Sequence, residues 1–114
     1  MDRLVIQLTS DDPERVAAAL TVGMTAAATG AVVHLWLSGP ASLFAVPGQE
    51  PVYELAHAPT LAQALDSMDS VAVCSQCAAR RGLGPADLRP GAVIAGATTL
   101  VEALLTDGTQ ALTY

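Results

Sequence analysis

Lysine is absent from this 114-residue chain, and arginine supplies all five of its basic side chains. Eleven acidic residues leave a formal net charge of −6 at pH 7. Nucleic-acid phosphate is bound through a basic face, and anionic membrane surfaces attract basic segments in the same way. The composition therefore argues against DNA, RNA and anionic membrane surfaces as partners.

Cysteine is scarce as well, and the two that are present, Cys74 and Cys77, stand three positions apart. A disulfide between them would close almost no loop, so it would add little to the stability of the fold. The first residues do not resemble a secretory signal, because Met1-Asp2-Arg3 leads directly into a strand-like run. We therefore expect a protein of the reducing cytoplasm.

Charged and aromatic side chains are few, at 14% and 4% of the chain, whereas hydrophobic residues make up 52%. The length is suited to one domain, residues 1–114, with one hydrophobic core. Eleven acidic and five basic side chains are few for covering the surface of such a domain. We therefore expect apolar surface to be shared with other subunits.

The longest apolar run, residues 16–37, is about long enough to span a membrane. Threonines at every fourth position, beginning at Thr21, interrupt it with a polar stripe, and Gly30 ends the helical pattern. His34 would be unpaired in lipid. We interpret the run as a helix followed by a strand, and not as a transmembrane helix.

Hydrophobic periodicity predicts short strands that alternate with helices. The strands are expected over residues 3–9, 31–37, 71–74, 92–95 and 109–114, with a brief extended piece at 52–55. The helices are expected over residues 13–29, 41–46 and 61–68, after Cys74 as far as Gly82, and over 100–105. This alternation predicts an α/β fold, a three-layer αβα domain with a mostly parallel sheet of about five strands.

Local signals mark where three of the helices begin. Asp12 and Pro13 are suited to the N-cap and first position of the first helix. Pro59 and Thr60 introduce the helix at 61–68. Thr99 and Glu102 have the spacing of a capping box, which predicts a helix that begins at residue 100.

Two cysteines lie at the edge of the predicted sheet where ligands of parallel α/β proteins bind. Cys74 is expected to end a strand and Cys77 to lie in the first turn of the next helix. The free backbone N–H groups and positive end of a helix favour a thiolate. Ser75, Gly96 and Thr98 are small or polar residues expected beside these thiols. The loops expected at this edge are residues 10–12, 38–39, 74–77 and 96–99.

The Cys-x-x-Cys spacing has several interpretations. A structural zinc site needs about four ligands, and only His34 and His57 remain to complete one, so we expect no metal. A redox pair is compatible with a cysteine at a helix start. The two residues could also be small buried hydrophobes in an alanine-rich segment.

Three further side chains are candidates for a role near the thiols. Arg80 and Arg81 follow Cys77 by three and four positions, on the same side of a helix. They could pair with a thiolate or hold an anionic substrate group, or they could complement the negative end of the helix. His34 shares a strand face with Trp36, which favours a hydrogen-bonded interior or interface histidine over a catalytic base.

The cysteine stretch resembles the DsrE/DsrF-like family, which includes the sulfur-relay protein TusD. Members carry a strand that ends in cysteine, an alanine-rich helix and Arg-Arg-Gly, as in Val73-Cys74 and Ala78-Ala79-Arg80-Arg81-Gly82. Asp12-Pro13-Glu14-Arg15-Val16, with the helix up to Gly30, is similar to the opening unit of the family. The segment from Gly91 to Glu102, with Ile94-Ala95-Gly96-Ala97, is similar to its closing unit.

We expect no cofactor. The resemblance implies a three-layer α/β domain that assembles into homo-trimers or homo-hexamers. It also implies that Cys74 is the position that carries sulfur as a persulfide in members active in sulfur transfer. Sulfur donor and acceptor proteins would then be partners. Relay proteins commonly have a small apolar residue at the position of Cys77, so here a second thiol could resolve a persulfide into a disulfide.

Three functions stay open at this point. The preferred one is a cytoplasmic sulfur carrier with the persulfide on Cys74, Cys77 as a resolving or assisting thiol, and Arg80 or Arg81 supplying positive charge. The second is a thiol-disulfide redox switch that uses both cysteines. The third is a non-catalytic oligomeric domain that binds a small ligand and in which the cysteines are packing residues. Whether the chain is an enzyme depends on this choice.

Overall fold

A computed structural model describes residues 2–48 and 55–114. The strands in this part of the chain are β1 (Arg3–Leu8), β2 (Val32–Leu37), β3 (Ser70–Cys74), β4 (Ala92–Ala95) and β5 (Thr109–Thr113). The helices are α1 (Pro13–Ala28), α2 (Leu61–Ser67), α3 (Ser75–Arg80) and α4 (Ala97–Leu104), with 3-10 turns at Gly39–Ala45 and Pro85–Asp87. Apart from Leu55, the extended piece expected at 52–55 lies outside the described residues.

The five strands form one sheet in the order β4-β3-β2-β1-β5, and every neighbouring pair is parallel. This confirms the predicted α/β fold with a parallel sheet. The chain moves outward by one strand at each of the first three connections. It then returns across the whole sheet, from β4 at one edge to β5 at the other.

Side chains of successive strand residues point to opposite faces of the sheet, and the two faces are covered differently. The larger core lies on the face that packs against α1, α2 and α3. Its members include Ile6, Leu8, Val16, Leu20, Val33, Leu35, Phe44, Ala64, Val73 and Ala78. On the other face, Val5, His34 and Trp36 face Leu100 and Ala103 of α4 across a cavity of about 180 Å³. The helices therefore form two outer layers, and among the described residues α4 alone supplies the second.

The predicted start of α1 is confirmed in its details. The Asp12 carboxylate accepts a hydrogen bond from the Arg15 backbone N–H at 3.2 Å, and Pro13 occupies the first turn. The hydroxyls of Thr25 and Thr29 donate to main-chain carbonyls of the same helix at 2.7 Å, so these two threonines of the polar stripe are satisfied locally. Among residues 2–48 and 55–114, no helix has the length and hydropathy that crossing a membrane requires.

α1 packs closely on the end of α2 at Gly23. A Cβ atom at Gly23 would lie 2.5 Å from Cε of Met68 and 3.1 Å from Cδ1 of Ile6. α2 itself begins with a full capping box: the Thr60 hydroxyl accepts from the Gln63 N–H at 3.2 Å, and the Gln63 amide oxygen accepts from the Thr60 N–H at 3.3 Å.

The capping box predicted at Thr99 and Glu102 is wrong. α4 begins three residues before the predicted position, at Ala97, with Gly96 as its N-cap and without a side-chain cap. The Thr99 N–H donates to the Gly96 carbonyl at 3.0 Å, which places Thr99 inside the first turn. Because Gly96 is extended, with φ −82° and ψ 164°, the chain turns from β4 into the helix without an intervening loop.

Candidate functional site

The candidate site is built around the junction of β3 and α3. Cys74 is the last residue of β3 and the N-cap of α3, where it is half-buried. Cys77 lies in the first turn of α3 and is only 6% exposed. Both thiols are free. The change from strand to helix falls where the sequence pattern predicted it, because apolar β-branched residues stop at Val73 and alanines begin after Cys77.

The N–H donors at this junction converge on the inner thiol. The Gly39 N–H donates to Cys77 Sγ at 3.2 Å, and Arg80 Nη1 donates to the same sulfur at 3.8 Å. The Cys74 thiol lies near Cys77, because the two residues are three positions apart at the start of α3. Cys77 Sγ is therefore surrounded by donors, whereas Cys74 lies nearer to solvent.

These contacts change the acidity of Cys77. Burial raises the pKa of the Cys77 thiol, whereas hydrogen bonds from Gly39 and Cys74 lower it. The positive charges of Arg80 and Arg81 lower the pKa further, and the net result is a pKa below the ordinary value of a thiol. Since the thiolate is the reactive and hydrogen-bond-accepting form, the inner cysteine is the one whose surroundings favour it.

Arg80 and Arg81 make different contacts, although they are adjacent in sequence. Arg80 reaches the sulfur of Cys77, while Arg81 Nη1 donates to the Cys77 carbonyl oxygen at 3.1 Å. Arg81 therefore satisfies a carbonyl near the end of α3, as arginines in last helical turns commonly do. Arg80 thus contacts the sulfur directly, whereas Arg81 contacts the carbonyl and acts on the thiol through its charge.

Gly39 contacts the candidate site, and sequence reasoning gave it no role beyond a place in the loop at residues 38–39. It begins the 3-10 turn that follows β2, and its φ of +52° lies in the left-handed region that favours glycine. Neighbouring groups hold it in place, because Thr9 Oγ1 and Ser38 Oγ are 2.7 Å apart and the Ser38 N–H donates to the Leu8 carbonyl. The signal available in the sequence was a glycine two positions after the end of a strand at the same edge.

Two of the residues expected beside the thiols, Gly96 and Thr98, lie at the start of α4. A Cβ atom at Gly96 would lie 4.0 Å from Ser75 Oγ, so the start of α4 adjoins the start of α3. Thr98 is exposed in the first turn of α4. Asp12 accepts the N-cap hydrogen bond of α1, and its own N–H donates to Ser10 Oγ at 3.0 Å.

His34 is a half-buried, hydrogen-bonded residue. Its Nδ1 lies 2.7 Å from Ser70 Oγ, at the start of β3, and it borders the cavity beneath α4 together with Trp36. Within residues 2–48 and 55–114, no three His, Cys, Asp or Glu side chains are grouped so that they could hold a metal ion.

Comparison with known proteins identifies the family. The model of the DsrE/DsrF-like family matches residues 2–114, and no curated protein matches significantly. The ychN protein from Escherichia coli has a similar structure, with a TM-score of 0.81, 20% identity and 100% of both chains covered. MTH1491, a protein of unknown function from Methanobacterium thermoautotrophicum, gives a TM-score of 0.76 at 16% identity, again over 100% of both chains. These two structures are similar to this one in fold, whereas the family match spans essentially the whole sequence. The chain belongs to the DsrE/DsrF-like family.

Proposed function

We propose that this protein is a cytoplasmic sulfur carrier that holds sulfur as a persulfide on Cys74. The observation that carries the proposal is the pairing of a half-buried thiol at the end of β3 with a buried thiol whose sulfur accepts N–H donors. The edge of a parallel sheet is also where small molecules and other reacting groups approach an α/β fold. Family membership supports the same function.

The transfer requires only thiol chemistry. The Cys74 sulfur attacks the outer sulfur of a donor persulfide, R–S–SH. A sulfur–sulfur bond forms on Cys74, the donor's sulfur–sulfur bond breaks, and its electron pair leaves with the donor as RS⁻. An acceptor thiolate later attacks the outer sulfur in the same manner and regenerates Cys74. The outer sulfur changes carrier without a net oxidant, so the donor and acceptor suffice as partners.

Intact mass spectrometry after incubation with glutathione persulfide tests the assignment. Wild-type protein and the Cys77→Ser variant should each gain the mass of one sulfur atom, whereas Cys74→Ser should not. Cys77→Ser is the matched control, because it removes a thiol from the same six-residue helix region and leaves Cys74 in place. Sulfur uptake by Cys74→Ser would contradict the proposal.

A thiol-disulfide switch is a second function that the proximity of Cys74 and Cys77 favours. If Cys77 attacks the inner sulfur of a Cys74 persulfide, a Cys74–Cys77 disulfide forms and hydrosulfide leaves. Mild oxidation of the dithiol would reach the same disulfide. The switch predicts that mild oxidation lowers the mass of the wild-type protein by two hydrogens, and that Cys74→Ser or Cys77→Ser abolishes this loss. A wild-type protein that keeps its full reduced mass after mild oxidation would exclude the switch.

We also propose that the protein assembles into a homo-oligomer, a trimer or hexamer, through the layer that contains α4. No residue of α4 is buried, although the helix is rich in apolar residues. Val101 and Leu105 are 47% and 79% exposed, and they lie on one side because they are four positions apart. Val93 on β4 is 53% exposed. Isolated apolar residues are ordinary on surfaces, but a group of them marks an interface.

Light scattering measures this assembly directly. Wild-type protein should have the mass of an oligomer, and Val101→Glu should reduce it to the mass of one chain. Val22→Glu is the control, because Val22 is also exposed, at 36%, but lies on α1 in the opposite layer. A wild-type mass of one chain, or equal dissociation by both substitutions, would contradict an interface at α4.

A further inference from the structure

The donors at the site are arranged around the thiol that does not carry sulfur in the proposed function. Gly39 and Arg80 approach Cys77 Sγ from two different segments, the turn after β2 and the end of α3. A neutral thiol is a weak acceptor, whereas a thiolate accepts charge-assisted hydrogen bonds. At 6% exposure, Cys77 is also poorly placed to meet a partner protein itself. Its surroundings favour a charged but inaccessible sulfur.

We propose that Cys77 is a resident thiolate that accepts the Cys74 thiol proton, with Gly39 and Arg80 as the positioning residues that hold its charge. The inference rests on the proposed function for the identity of the sulfur donor. The ionisation of Cys77 and its effect on Cys74 are independent of that donor. The two cysteines are three positions apart at the start of α3, so their thiols lie near each other and the proton has a short path. The lowered pKa of Cys77 agrees with this arrangement.

The two cysteines can then handle the proton of the sulfur transfer without another acid or base. As Cys74 attacks the outer sulfur of R–S–SH, its proton moves to the Cys77 thiolate. The donor leaves as RS⁻ and receives that proton from the Cys77 thiol. The sum is Cys74–SH plus R–S–SH giving Cys74–S–SH plus R–SH, with Cys77 again a thiolate. Cys77 thus acts first as a base and then as an acid, while Cys74 alone forms the covalent bond.

The ionisation of Cys77 is tested in a Cys74→Ser background, where Cys77 is the remaining thiol of the described chain. Ultraviolet absorbance of the thiolate, followed against pH, should show Cys77 titrating below free cysteine. Arg80→Gln should raise the midpoint more than Arg81→Gln, because Arg80 contacts the sulfur and Arg81 contacts the carbonyl. Titration of Cys77 like free cysteine, or equal effects of the two substitutions, would overturn the proposal.

The role toward Cys74 is tested with a reagent that contains no sulfur. Iodoacetamide alkylates a thiolate with loss of iodide, and peptide mapping assigns the product to Cys74 or Cys77. Alkylation of Cys74 at neutral pH should be about 100-fold slower in Cys77→Ser, the size typical of general-base assistance. Arg80→Gln, which keeps both thiols, should move the pH dependence of Cys74 alkylation to higher pH. An unchanged rate and profile in both variants would refute the assignment.

The same variants separate this inference from the sulfur-carrier proposal. If Cys74 never gains sulfur from glutathione persulfide but its alkylation still depends on Cys77, the carrier function fails and the proton-acceptor role stands. If Cys74 gains sulfur at the same rate in wild type and Cys77→Ser, the carrier function stands and the proton-acceptor role fails.

Discussion

Replacement of Gly39 by alanine should destabilise the fold more than alanine does at other glycines with positive φ. The φ of Gly39 is +52°, and an L-residue in this left-handed region costs about 1–2 kcal/mol. A Cβ atom there would also lie 2.9 Å from Cγ2 of Thr9. That methyl cannot rotate away freely, because the Thr9 hydroxyl is hydrogen-bonded to Ser38 at 2.7 Å. Overpacking of this kind adds about 1 kcal/mol or more, so the total loss should be about 2–4 kcal/mol.

Urea denaturation of matched variants separates the two contributions. Gly82 has a similar φ, +65°, and a Cβ atom there meets nothing within 4 Å, so Gly82→Ala should cost only about 1–2 kcal/mol. Adding Thr9→Ser to Gly39→Ala removes the crowded methyl but keeps the hydroxyl, and it should recover about 1 kcal/mol. Equal losses at Gly39 and Gly82, or no recovery with Thr9→Ser, would refute the steric argument.

Further predictions concern capping, packing and pH. Asp12→Ala should lower the free energy of unfolding by about 1 kcal/mol, because the Arg15 N–H loses its acceptor, whereas Asp11→Ala should leave it unchanged in the same urea titration. Leu35→Ala removes a side chain that is 1% exposed and should cost about 2–5 kcal/mol by thermal denaturation. Because folding lowers the pKa of Cys77, wild-type stability relative to Cys77→Ala should rise as pH increases from the folded-state pKa toward the ordinary value of 9.0. This advantage should be lost as pH falls through the folded-state pKa, and a difference that stays flat with pH would contradict it.

Sequence reasoning succeeded where residues next to each other in the sequence determine where a strand or helix begins or ends. β3 ends at Cys74 because the β-branched run ends there, and α1 begins at Pro13 because Asp12 caps it and proline suits the first turn. The pair Thr99 and Glu102 misled because Thr-x-x-Glu spacing also occurs inside a helix. At that junction the backbone of Gly96 makes the turn, and no side-chain signal records it.

The contact between Gly39 and Cys77 is long-range, and this is why the sequence did not reveal it. Gly39 and Cys77 meet only because β2 and β3 are neighbours in the sheet. Strand order depends on which apolar faces pack together, and alternating elements leave several orders possible. Arg80 and Arg81 carry the same local signal, so the choice between sulfur and carbonyl required the actual course of α3.

The return of the chain from β4 to β5 has a consequence for biosynthesis. β1 gains β2 as a neighbour early in translation, but its other edge is paired only by β5, which is made after every other strand of this sheet. Until then a nascent chain presents the hydrogen-bonding groups of β1 without a partner, and such edges recruit strands from other chains. The interval between synthesis of β1 and β5 is therefore the period in which edge-to-edge aggregation competes with completion of the sheet.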